Sequence, residues 1–364
     1  MLLIFTVIAV ALLFTYINGF HDTANSIATV VSTKVLTPRQ AVMMAAVTNL
    51  IGAFYGTAVA TTIASGLVDT KVATMPVLIC ALIGAIVWSL LTWWVGLPSS
   101  SSHALVGGLC GACYAAAHND ATVIIWSVPS DQHWWDGKGI LWKVVMPMLI
   151  SPVVGFVVGF LLMGLLYLLL RNWRPVTVNR TFDKLQLLSS AYMGFSHGTN
   201  DAQKTMGIIA LALVAATGTG VFDSLPHWLS FLKEAAPAAD QPVTIAVWIK
   251  VVCALTMCAG TAAGGWRIIK TLGHKMVKLQ PVHGFAAEAT GATVLLVAAH
   301  YGMPVSTTHA ITTSVMGVGC AKGFNALKFS VVERILWAWV LTLPASAAVG
   351  YVVVWLARVV GLLP

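Results

Sequence analysis

Asp22 and Asp201 each stand in a run that is otherwise almost free of charge. The runs are Gly19-Phe20-His21-Asp22-Thr23-Ala24-Asn25 and His197-Gly198-Thr199-Asn200-Asp201-Ala202-Gln203-Lys204. A carboxylate in apolar surroundings draws in a cation or a proton, because the bare charge is too costly to leave unpaired. Asn25, three residues beyond Asp22, shares its helical face and offers a neutral oxygen. Asn200 and Thr23 are weaker ligand candidates. Gly19, Gly194 and Gly198 lead us to expect helices that unwind beside the aspartates and free backbone carbonyls for a cation. Capping by the two aspartates is the plainer alternative, but it leaves their repetition without a reason.

A second pair of motifs calls for an anion. Gly96-Leu97-Pro98-Ser99-Ser100-Ser101-Ser102-His103-Ala104 is echoed by Gly302-Met303-Pro304-Val305-Ser306-Thr307-Thr308-His309-Ala310. Proline suits the first turn of a helix, where its missing N–H is no loss. The hydroxyls of Ser100, Ser101, Ser102, Ser306, Thr307 and Thr308, with the free N–H groups and the helix dipole, suit a tetrahedral oxyanion. Two carboxylates beside a divalent oxyanion would repel it by several kcal/mol in a poorly hydrated site. A cation or protons must therefore bind with the anion, and that mutual dependence is a coupling mechanism.

Lys204 breaks the symmetry. It occupies the repeat position of Asn25, and its ammonium supplies a fixed positive charge beside Asp201 or exchanges a proton with it. Glu288, with no acid at the matching position of the first half, is a proton-carrier candidate. His21, His103, His197 and His309 flank the motifs in pairs and are expected to orient their neighbours rather than bind metal. Any metal site is left open. Cys110-x-x-Cys113 lies among Gly and Ala with no second such pair, and reads as helix packing.

The elements that must position these groups follow from composition. Of 364 residues, 9% are charged and 58% fall in the set AVILMFWYC; mean hydropathy is +0.87. Several runs without Asp, Glu, Lys or Arg exceed the ~20 helical residues that cross a bilayer. The reading is an all-α polytopic membrane protein, multi-pass in the cytoplasmic membrane, its first run a spanning helix rather than a signal peptide. The net charge of +8 concentrates in two loops, Arg171 to Lys184 and Arg267 to Lys278, as in positive-inside loops, so nucleic acid is not implied. Placing those loops inside gives ten crossings with both termini outside, and sets Asp120, Asp131, Asp136, Asp223, Glu234 and Asp240 outside. Trp93, Trp94, Trp134, Trp135 and Trp142 suit interfacial belts.

The two motif echoes, with a third between Ser151–Leu161 and Ser346–Leu356, make an internal repeat. Repeat 1 spans residues 1–170, a cytoplasmic basic linker 171–184, and repeat 2 residues 185–364. Five crossings per half is an odd number, so the repeats are inverted, with broken helices. Inverted repeats mark a secondary transporter with its site at the repeat interface.

At these residues the chain resembles the inorganic phosphate transporter (PiT) family, the sodium- or proton-coupled phosphate permeases, over essentially its whole length. The carriers of the resemblance are the signatures around Asp22 and Asp201, the hairpin motif at Pro304 and the stretch from Gly265 to Glu288. It implies re-entrant hairpin-like segments at 98–118 and 304–321 and a homodimer. It also implies a coupling cation at Asp22 and Asp201 and phosphate among the six Ser and Thr hydroxyls. Lys204 and Asn49 depart from the sodium-coupled members, which carry Asn and commonly Glu there. Those departures resemble the bacterial, proton-coupled branch, which can carry phosphate as a neutral complex with Mg2+ or another divalent ion. The expectation is a symporter importing inorganic phosphate with H+ or Na+. Sulfate uptake by the same fold is the runner-up, and an anion channel stands behind it. No nucleophile–base set and no nucleotide-binding loop occurs, so an enzyme or an ATP-driven pump is not expected.

Overall fold

The computed structural model describes residues 2–218, 220, 222, 226–233, 244–271, 277–323 and 327–363. Twelve α-helices run through them: α1 Leu2–Ser32, α2 Pro38–Gly52, α3 Ala58–Ser65, α4 Met75–Val95, α5 Ser101–Ala116, α6 Met146–Leu170, α7 Pro175–Gly218, α8 Val247–Ala263, α9 Trp266–Lys270, α10 Pro281–His300, α11 Thr307–Lys322 and α12 Phe329–Val359. No strand forms among these residues; two isolated bridges, Val68 with Ile124 and Val128 with Lys138, brace the segment between α5 and α6. Asp223, Glu234, Asp240 and Lys275, which entered the topology argument, lie outside the described residues.

Among the described residues, five helices are long and apolar enough to cross a membrane: Leu2–Ser32, Met75–Val95, Leu141–Leu170, Pro281–His300 and Phe329–Val359. Their outer faces carry large exposed apolar side chains, among them Val153, Val157 and Leu161 on α6 and Trp337, Val340 and Trp355 on α12. With no water to satisfy a lipid-exposed backbone, helices are the form such segments must take.

Two expectations are corrected. The helices carrying Asp22 and Asp201 are not unwound: α1 and α7 run unbroken through both positions. The glycines serve close approach instead. A Cβ at Gly19 would lie 2.7 Å from Met257 O on α8, and one at Gly198 would lie 2.2 Å from Asn49 O on α2. Second, most of the stretch 171–184 is no loop, because α7 begins at Pro175. The breaks fall elsewhere. α2 and α3 part around Gly56 at φ +77°, and Gly264 at φ +74° separates α8 from α9.

Packing follows the chain's self-resemblance. α1 packs on α4 and α8 as α7 packs on α10 and α2; α3 lies on α7 as α9 lies on α1. α5 packs on α12, and α11 on α6. α5 and α11 have 16 residues each, about 24 Å at 1.5 Å per residue, less than the ~30 Å hydrocarbon core. Each opens on a serine whose hydroxyl accepts from the N–H three residues on: Ser100 from His103 at 3.1 Å, Ser306 from His309 at 3.2 Å.

The close seams are testable. Gly198→Ala overpacks the contact with α2 and is expected to destabilise the protein by about 1–3 kcal/mol. Gly164→Ala, where nothing lies within 4 Å, should leave the melting temperature in detergent unchanged. Equal melting of the two variants would contradict the packing role of Gly198.

Candidate functional site

From His21 to Val30 on α1, and from Ser196 to Leu213 on α7, every residue is buried. Helices enclosed all round are central ones, and they bring the two carboxylates together. Ligand atoms of Asp22, His197 and Asp201 lie within 4.8 Å of one another. Asp22 Oδ1 is 2.6 Å from His21 Nδ1, and its Oδ2 accepts from Ser101 Oγ at 2.6 Å. Asp201 pairs with the ammonium of Lys204, and its Oδ2 lies 3.2 Å from His197 Nε2. Lys204 is fully buried, so its side chain does not snorkel to an interface. The ammonium donates to Ser102 Oγ as well as to Asp201.

The caps of α5 and α11 meet at this centre. Ser102 Oγ donates to Val305 O at 3.1 Å, and Thr308 Oγ1 donates to Ser99 O at 2.9 Å. These two bonds are one bond seen twice, each cap donating its third hydroxyl to the carbonyl just ahead of the other's. Asn25 Nδ2 donates to Thr307 Oγ1 at 3.1 Å and to Thr308 Oγ1 at 2.9 Å, and Thr307 Oγ1 lies 3.5 Å from Asp201 Oδ2. Asn25 Oδ1, aimed into the same buried region, has no hydrogen-bond partner. Buried polar atoms are rarely left so, and an oxygen acceptor without a donor suits a cation. The arrangement can hold a cation at two carboxylates, His197 and Asn25, and an anion at hydroxyls and cap N–H groups a few ångströms away.

Of the residues singled out in the sequence, Asp22, Asn25, Asp201, Lys204, Ser101, Ser102, Thr307 and Thr308 are joined by direct contacts, with Ser100 and Ser306 capping the helices beside them. Asn200 is buried with both amide atoms unpartnered and makes no bond to the cluster. Glu288 on α10 lies apart from it. It accepts from Thr29 on α1, and from Ser189 at 2.5 Å and Gln186 at 3.3 Å on α7. The histidines divide. His21 and His197 orient the carboxylates, and His197 also reaches Asn49 Oδ1 at 3.1 Å. His103 and His309 instead meet edge to face at 4.9 Å, with the His309 ring tilted by 30° against Trp339 at 3.9 Å. For those two the expected orienting role is not what the structure shows. Cys110 and Cys113 are free thiols on α5.

Sequence reasoning missed Thr29, Gln186 and Ser189 around Glu288, and Thr261, whose 2.9 Å bond with Asn49 joins α2 to α8. Lone Ser, Thr, Asn and Gln residues in apolar helices carry no spacing signal, so only the fold reveals them.

Membrane helices that converge on one buried, charged centre are the arrangement of a membrane transporter. Comparison with known proteins gives the family. Residues 18–350 match the phosphate transporter family. The chain is 40% identical over 353 residues to a "Probable low-affinity inorganic phosphate transporter" of Bacillus subtilis, covering 96% of each chain. A protein of the same description from Rhizobium meliloti is 41% identical over 344 residues, covering 94% of this chain and 93% of that one. The chain belongs to the phosphate transporter family. In fold it is similar to a solved structure described as a sodium-dependent phosphate transporter, with TM-score 0.76, 24% identity and coverage of 99% and 100%.

Proposed function

We propose that this protein is a secondary-active symporter that imports inorganic phosphate across the cytoplasmic membrane, driven by protons. Phosphate binds between the caps of α5 and α11, held by Ser100, Ser101, Ser102, Ser306, Thr307 and Thr308. The observation that carries the reading is Lys204. Its buried ammonium bonds Asp201 and Ser102, a permanent positive charge at the position where the first half has Asn25. A sodium ion ~4 Å from that ammonium would be repelled by about 4 kcal/mol at an effective dielectric near 20. Lys204 thus neutralises Asp201, and protons on Asp22 or Glu288 complete the charge balance. A divalent cation carried with phosphate would find ligands in Asp22, His197 and Asn25, so magnesium should stimulate uptake.

The matched packing of α1–α6 and α7–α12, and the paired bonds Ser102 to Val305 and Thr308 to Ser99, support two inverted repeats of five crossings. α5 and α11 then serve as re-entrant segments. The family resemblance supports a homodimer.

The test is radiolabelled uptake into proteoliposomes in sodium-free buffer with an imposed inward proton gradient. Phosphate is expected to accumulate, more so with magnesium. No accumulation there, with full recovery on adding sodium, would overturn the coupling assignment. In parallel, phosphate should raise the melting temperature of the purified protein; a shift with sulfate and none with phosphate would overturn the substrate.

A further inference from the structure

Two residues beyond Asp201 and one before Lys204, Gln203 points away from the carboxylate and into the break between α2 and α3. It is buried, and both ends of its amide are committed to backbone. Its Oε1 accepts from Val59 N–H at 2.9 Å and Ala60 N–H at 3.3 Å, and its Nε2 donates to Tyr55 O at 3.1 Å. The first N–H groups of a helix need an outside acceptor. α3 opens on Thr57, which makes no side-chain cap bond. Gln203 takes over that cap from another helix, and with its other end grips the turn that closes α2. Gly56, the left-handed residue of that turn, lies directly under the amide: a Cβ there would meet Gln203 Nε2 at 3.4 Å.

The far side of α3 bears on the anion-binding half of the site. A Cβ on Gly302 would lie 2.9 Å from Thr62 Oγ1 and 3.0 Å from Ala58 O, and Gly302 sits at φ +65°. Gly302 opens the buried run Met303-Pro304-Val305 that delivers Ser306, Thr307 and Thr308. The first half has a related seam. Thr271 Oγ1, just past α9, donates to Gly96 O at 2.9 Å, and Arg267 donates to Trp94 O at 2.7 Å, ahead of Pro98. In that half, however, the residue matching Gln203 is Ala24, which has nothing to cap with. On the Asp201 side, a side chain of α7, Gln203, holds the start of the short helix α3.

We propose that Gln203 is a positioning residue that couples the ionic state of Asp201 and Lys204 to the phosphate-binding cap of α11, with α3 as the connecting piece. A shift of α7 at Asp201 moves the cap of α3, and α3 moves the Gly302 turn. The inference rests on phosphate binding at the α11 cap, as proposed above.

Hydrogen exchange tests it, because residues 56–66 include none of the proposed phosphate ligands. In the wild-type protein, inorganic phosphate is expected to slow deuterium uptake of this segment. Gln203→Met keeps the length and removes all three bonds. Its segment should exchange roughly tenfold faster, the scale of a lost cap. Phosphate should still raise its melting temperature, at a higher apparent Kd, but should no longer slow exchange at 56–66. Gln203→Glu restores the acceptor for Val59 and Ala60 and should recover much of the protection, a rescue that a simple loss of packing does not predict. Should the Met variant not fold, Gly302→Ala breaks the link from the other end and should likewise uncouple the segment from phosphate. If wild-type protein shows a melting shift with phosphate but no protection at 56–66, the inference alone is wrong. If phosphate produces no melting shift, the functional reading fails and takes this one with it. Phosphate-dependent protection that survives in the folded Met variant also overturns it.

Discussion

Asp22→Asn and Asp201→Asn are each expected to abolish phosphate accumulation in proteoliposomes, yet to differ in stability. The reason lies in their partners. Asp22 accepts from Ser101 and faces His21, a group that can be neutral. Its neutralisation removes a cation ligand and leaves no charge stranded, at a cost of about 1 kcal/mol for an altered hydrogen bond. Asp201 is paired with Lys204, and both are fully buried. Removing one partner of a buried pair leaves the other uncompensated, which costs roughly 3–5 kcal/mol. The Asp201 variant should therefore melt well below the Asp22 variant. Near-wild-type accumulation in either would refute their assignment as the coupling site. Equal melting temperatures would refute Lys204 as the counter-ion of Asp201.

Lys204→Asn should convert the coupling. It withdraws the ammonium and recreates at Asp201 the Asp–Asn spacing that Asp22 and Asn25 have in the first half. Lifting a repulsion of about 4 kcal/mol corresponds to roughly a thousandfold in sodium affinity. The variant is expected to lose uptake driven by a pH gradient alone and to gain dependence on sodium. Asp201, left without its cation, should destabilise the protein in sodium-free buffer, and added sodium should restore its melting temperature. Proton-driven uptake unchanged in Lys204→Asn, or a melting temperature indifferent to sodium, would remove Lys204 from the coupling mechanism.

The candidate site was legible wherever chemistry was written in a type and repeated at a spacing. Carboxylates in apolar runs and hydroxyl triplets after proline announced themselves, and the structure joins Asp22 to Ser101, and Asn25 to Thr307 and Thr308. What glycine does was not legible. The same residue loosens a helix or lets a neighbour approach, and only the neighbour decides. At Gly198 the neighbour is the backbone of α2, so α7 stays intact. Nor was the start of α7 readable, because Arg180 and Lys184 suggest a loop by charge while a helix accepts them on its exposed face. Gln203 escaped for another reason. A single amide looks unremarkable until the helix start it caps, more than a hundred residues earlier in the chain, is brought beside it.

The exchange of packing partners bears on how the protein is made. α5 finds its main partner in α12, and the mate of α11 is α6. When α5 leaves the ribosome, α4 is there to pack on it, but its main partner does not yet exist. It must wait, short and lined with hydroxyls at one end, while much of the second half is synthesised and inserted. α11, by contrast, meets α6 already in place. The first half therefore cannot mature as an independent unit, and loss of α12 should expose α5 to quality-control proteases far from the lesion itself.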